Sequence, residues 1–180
     1  YVGAFTKSYR KSLMEDKWIP DVTSRGIPLT ENIDPLFDVL TDEAQVASWN
    51  NEGLPSDRVS IENGAIVTNC KRWTLLIDPQ LQGLKWIKTK EEKNGLKIVQ
   101  LNQRRYLDTI IQAIRMGEPV LIENVGETID SILDPLLSQS YVQKGNNKYI
   151  HIGDKEIDYD PKFKLYIQTR LANPHYRPEI

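Results

Sequence analysis

An α/β fold is the class this sequence predicts: a mostly parallel sheet covered on both faces, with a β-hairpin insertion. Three observations carry it. Apolar runs of strand length alternate with stretches of helical periodicity, the mark of strands joined by crossover helices. The run Trp73-Thr-Leu-Leu-Ile77, closed by Asp78-Pro79, has the continuous apolar character of a strand buried on both faces. Finally, Tyr149-Ile-His-Ile152 and Glu156-Ile-Asp-Tyr159 alternate around Gly153-Asp154, a hairpin signal.

Along the chain, residues 1–19 are aromatic and basic, with Phe5, Tyr9, Leu13 and Met14 near helical spacing, and Pro20 is expected to end that helix. Residues 21–35 carry Pro, Gly, Thr and Asn at short intervals and read as an irregular connector. Thr41 is placed to cap a helix that has Asp42 and Glu43 in its first turn, buries Val46 and Trp49, and ends near Gly53. A short helix from Ser56 runs through Val59 and Ile61 toward Asn63-Gly64. After the strand at 73–77, residues 80–88 read as helix and the charged tract 88–93 with Asn94-Gly95 as the turn out of it.

Leu96-Lys-Ile-Val99 is a second strand. Leu107, Ile110, Ile111 and Ile114 fall at i, i+3, i+4 and i+7, one helix face, and Gly117 sits where a C-terminal cap belongs. Pro119-Val-Leu-Ile122 is a third buried strand, and Phe163-Lys-Leu-Tyr-Ile167 follows the hairpin as another. Two parts are expected: residues 1–40 as a lead-in helix and connector, and residues 41–180 as the α/β body.

Composition narrows the function classes. The chain has 180 residues, 39% hydrophobic and 27% charged, which excludes a disordered chain. Its net charge of −2 supplies no broad attraction to nucleic acid or anionic lipid, and no apolar run is long enough to span a bilayer. The single cysteine, Cys70, excludes an internal disulfide and a cysteine-rich zinc site. Tyr1 in place of a start methionine leads us to expect an intracellular piece of a longer chain. His151 and His175 have no partners at metal-ligand spacing and read as surface positions, Cys70 as a quiet thiol, and Trp49, Trp73 and Trp86 as core or interface residues.

In a parallel α/β sheet the loop after the first strand is the usual phosphate site, because its amides and the next helix N-terminus bind anions. Here that loop is Asp78-Pro79-Gln80-Leu81-Gln82-Gly83-Leu84-Lys85. A P-loop needs Gly first and sixth, Lys seventh and Ser or Thr eighth. With Gly83 sixth, Asp78 brings a carboxylate to the first slot, Leu84 removes the lysine ammonium and Lys85 replaces the metal-binding hydroxyl. The loop has P-loop position without P-loop chemistry. The run Val120-Leu-Ile-Glu123-Asn124 has the shape of a Walker B strand, but Asn124 stands where a catalytic glutamate would and cannot accept a proton. Glu123 retains the capacity to contact a cation, and a structural role for both residues is the simpler reading.

Taken in order, Trp49-Asn-Asn-Glu-Gly-Leu-Pro-Ser-Asp57, the loop from Ile77 to Ile87, Ile122-Glu-Asn-Val-Gly-Glu127, Ile152-Gly-Asp-Lys-Glu156 and Leu171-Ala-Asn-Pro-His-Tyr176 resemble the fifth AAA+ module in the motor ring of dynein heavy chains. The form of the last stretch looks axonemal. The resemblance implies a P-loop NTPase-like AAA+ large subdomain that completes a six-module ring in a cilium or flagellum, with a helical lid after Ile180. It further implies that this module lacks a working nucleotide site and needs no cofactor, ATP and magnesium being used in other modules. The implied partners are the neighbouring modules, the stalk and strut helices and, through the parent chain, the microtubule. The helix in residues 1–19 would lead in from the stalk.

By the same resemblance Asn173 lies near the polar residue that senses the γ phosphate, although a turn-forming Asn before Pro174 is simpler. Arg177 stands where such modules reach toward a neighbour, although an ordinary surface arginine is simpler. The alternative to a structural and mechanical module is a nucleotide-binding regulatory domain, or a small P-loop-like enzyme, using Lys85 and Glu123 in a nonstandard site. Binding of a partner protein at the stalk base is a third possibility.

Overall fold

The computed structural model describes residues 5–176, with the backbone alone for 35–37. Its chain divides into two compact units, residues 1–45 and 46–180.

In the first unit a continuous helical stretch comprises α1 (Lys7–Ser12), a π-helical segment (Leu13–Trp18) and α2 (Ile19–Ser24). Thr6 caps it by accepting the Tyr9 N–H. Pro20 does not end this helix, contrary to expectation. It sits in the first turn of α2, just after the π segment, whose wider turn sends the Ile19 N–H to the Met14 carbonyl. The local register is therefore no longer the α register in which a proline ring collides with the carbonyl four residues back. The helix stops instead at Gly26, with φ +71°. A further helix, α3 (Pro35–Leu40), lies where only connector was expected.

The helix α4 (Glu43–Asn51) is capped by Asp42 rather than Thr41: the Asp42 carboxylate accepts the Gln45 N–H at 2.7 Å. In the second unit, α5 (Arg58–Asn69) starts at the Asp57 cap and runs past Asn63-Gly64, the expected end. Gly64 serves packing, not a turn: a Cβ there would lie 2.9 Å from both Leu54 and Trp49. Trp49 in turn meets Trp86 edge-to-face, with centroids 6.1 Å apart.

Four strands pair in parallel in the order β1 (Thr74–Ile77), β7 (Leu165–Thr169), β3 (Val120–Ile122), β2 (Lys97–Val99). β7 and β3 are buried along their whole length, as central parallel strands must be. β1 is a correction. It is an edge strand, and its last residue, Ile77, is 52% exposed.

The period of two sorts the side chains into two layers. Val99, Val120, Ile122, Leu165 and Ile167 join one core cluster with Ile110, Ile111, Ala113 and Ile114 of α7 (Tyr106–Met116). The same cluster takes Leu136 and Leu137 of α8 (Asp134–Leu137), and Ile150, Ile152 and Ile157 from a second, antiparallel sheet. On the other face Tyr166 and Leu76 meet α6 (Gln82–Glu91). Residues 88–91, expected as turn, are the last turn of α6. The second sheet comprises β4 (Tyr141–Lys144), β5 (Asn147–Ile152) and β6 (Lys155–Asp158). The hairpin around Gly153 is as the alternation predicts, while β4 and α8 have no counterpart in the sequence reading.

Candidate functional site

Parallel strands bring their C-terminal ends to one edge of the sheet, and here Asp78, Gln100, Glu123 and Gln168-Thr169 arrive there together. The β1–α6 loop is built around Asp78, which is 8% exposed. Its N–H donates to the Thr169 carbonyl at 2.9 Å, continuing the sheet by one residue. Its carboxylate turns into the loop and accepts the Gln82 N–H at 3.0 Å and the Leu84 N–H at 2.7 Å.

Those are amides of the first turn of α6, the groups a phosphate would engage in a P-loop. The fixed carboxylate takes the anion's place and meets the positive end of the helix dipole. The departure at Asp78 is thus more than a repulsive charge beside the phosphates: the loop is closed on itself by its own anion.

Two further details complete the loop. Leu81 precedes α6 at φ +62°, a left-handed conformation that costs a side-chain-bearing residue about 1–2 kcal/mol. Gly83 lets the helix approach the strand: a Cβ there would lie 3.0 Å from Leu76 and 3.4 Å from the Asp78 carboxylate. Pro79, Gln80, Gln82 and Lys85 are exposed, and Leu84 is half-buried.

Across the edge Glu123 is held by a lysine: Lys88 Nζ of α6 lies 2.5 Å from Glu123 Oε1, and Gln100 Nε2 lies 3.5 Å from Oε2. An internal ammonium therefore sits beside the Glu123 carboxylate at the sheet edge. Asn124 follows at φ +52° and is exposed, its N–H donating to the Gln168 side chain at 2.9 Å. Asn173 is exposed in a bend four residues beyond β7, where its carbonyl meets the His175 ring at 3.2 Å. Arg177 lies outside the described residues. Among the described residues no group of three or more His, Cys, Asp or Glu could hold a metal ion. No described helix is long and apolar enough to cross a membrane.

Three residues of this region escape sequence reasoning. Gln168, 1% exposed, donates its side-chain N–H to the Asp78 carbonyl at 3.3 Å while its oxygen accepts from Asn124. Lys88, in a charged tract that the sequence marks as a turn, pairs with Glu123 instead. Glu91, 1% exposed at the end of α6, accepts from Tyr166 at 2.6 Å, from Lys164 at 3.1 Å and from Asn94. Burial pushes the Glu91 carboxyl upward, but its three hydrogen bonds and the lysine charge outweigh this and hold it below the ordinary glutamate value. Burial and the same carboxylate push the Tyr166 hydroxyl up. The only hint in the sequence was a polar Gln at the end of an apolar strand.

A parallel sheet in the order β1-β7-β3-β2, with a loop and helix after the first strand and an acidic residue after β3, defines a P-loop NTPase-like large subdomain of the AAA+ class. Comparison narrows it further. Residues 47–180 match the family described as ATP-binding dynein motor region, and the chain belongs to that family. It is 52% identical over 180 residues to the dynein beta chain of the flagellar outer arm of Chlamydomonas reinhardtii. It is 55% identical over 182 residues to the ciliary dynein beta chain of Tripneustes gratilla and, over the same length, to human dynein axonemal heavy chain 17. Each alignment covers all of this chain and 4% of the relative.

Proposed function

We propose that this chain is a non-catalytic, structural and mechanical AAA+ module of an axonemal dynein motor. It completes the ring and relays conformational change between the modules that hydrolyse ATP and the microtubule-binding stalk. Residues 1–40 lead in from the stalk side and residues 41–180 form the large subdomain. The parent chain is an ATP-driven microtubule motor of a cilium or flagellum, in keeping with the ciliary, flagellar and axonemal relatives. This module needs no cofactor of its own, and its partners are the neighbouring modules and the stalk and strut helices.

The observation that supports this reading is the Asp78 carboxylate on the Gln82 and Leu84 amides. The alternative, a nucleotide site built on Lys85 and Glu123, requires those amides to be released and Glu123 to give up Lys88. Titration of this chain with Mg-ATP tests the reading, because ATP turnover of a whole motor would be carried by other modules and would not report on this one. No binding heat is expected up to millimolar ligand, while micromolar affinity would give the module a nucleotide site of its own and overturn the reading.

A further inference from the structure

The end of β7 holds two loops at once. Gln168 gives its amide N–H to the Asp78 carbonyl and takes the Asn124 N–H on its amide oxygen, at 3.3 and 2.9 Å. Around it the Thr169 carbonyl accepts from Asp78, the Gln168 carbonyl accepts from Val125, and the Thr169 hydroxyl donates to the Val125 carbonyl. Each loop also contains one residue that carries a side chain in the left-handed region, Leu81 at φ +62° and Asn124 at φ +52°. A leucine takes such a conformation only under strain while an asparagine adopts it readily, so the β1–α6 loop is the one held against a local preference. The buried amide of Gln168 is the side chain that the two loops share.

We infer that Gln168 is a clasp that makes the β1–α6 loop and the loop after β3 a single conformational unit, so that neither opens without the other. This goes beyond the proposed function and stands or falls separately from it, because a module that bound nucleotide could still be clasped. The reciprocity required of any coupling between two sites gives the test.

Hydrogen exchange in the intact protein, followed by mass spectrometry, reads the two loops separately. Gln168→Met keeps the side-chain length and removes both hydrogen bonds; exchange should rise by about tenfold, the worth of one buried hydrogen bond, at Asn124 and also at Gln82 and Leu84. Asp78→Asn perturbs the first loop directly and should raise exchange at Asn124 several-fold, an effect that disappears once Gln168 is already Met. Acceleration confined to Asn124 in the first variant, or an unchanged Asn124 in the second, overturns the clasp. Should Gln168→Met fail to fold, the response of Asn124 to Asp78→Asn decides alone.

Discussion

Replacing Asp78 by alanine strips α6 of the anion that satisfies its first turn. Two amide N–H groups lose a buried, charged acceptor. Hydrogen bonds to a charged group contribute about 1.5–3 kcal/mol each, and a helix cap alone about 1 kcal/mol. The two bonds share one carboxylate and are not additive. A loss of about 3 kcal/mol is expected, and for a chain of this size that lowers the melting temperature by about 6–12 °C. Asp78→Asn keeps one oxygen for one of the two amides but turns an NH2 toward the other, so it should fall between wild type and alanine. Urea unfolding followed by circular dichroism measures both. An alanine variant within about 0.5 kcal/mol of wild type, the range of an ordinary surface change, would refute the role given to the carboxylate.

At the other end of α6, Tyr166→Phe removes one donor from the buried Glu91 and should cost about 1.5–3 kcal/mol. Glu91→Ala leaves Tyr166, Lys164 and Asn94 without their acceptor and should cost about 3–5 kcal/mol, both read by thermal unfolding. Because the folded pKa of Glu91 lies below its ordinary value of 4.5, the unfolded chain binds more protons; the stabilisation is complete above that value and is lost as pH falls through the folded one. Acid unfolding of Glu91→Gln should accordingly be less steep than that of wild type as pH falls below the ordinary glutamate value of 4.5. Gly64→Ala should destabilise by about 1–2 kcal/mol although alanine is the better helix former, because its Cβ would press on Leu54 and Trp49 at 2.9 Å; a gain in melting temperature would show that α5 yields there.

The parts of the fold that were legible in the sequence are those whose signal is local. α7 announced itself because Leu107, Ile110, Ile111 and Ile114 share one face and Gly117 takes φ +68° as its cap. β3 and the β5–β6 hairpin were equally plain. β4 was not, because its residues are half-buried or exposed and, among the described residues, it pairs with β5 alone. Pro20 and Gly64 misled for one reason: each ordinarily breaks a helix, and here a π turn and a close helix contact override that preference.

At the site, the position of the β1–α6 loop was legible, because an apolar strand closed by Asp78-Pro79 runs into a helical stretch. What Asp78 does there was not, because the fate of its carboxylate depends on how the loop turns. Gln168 meets Asp78 across 90 residues and Asn124 across 44, and no pattern in a single chain encodes such a pairing.

The most direct measurement is a calorimetric titration with Mg-ATP and with ADP, on this chain extended through the helical lid expected to follow it. A loop already closed by Asp78, facing a Glu123 already paired with Lys88, predicts no binding heat up to millimolar ligand. Micromolar affinity, about −8 kcal/mol, would mean that nucleotide displaces both internal partners, and would contradict a module that works without it.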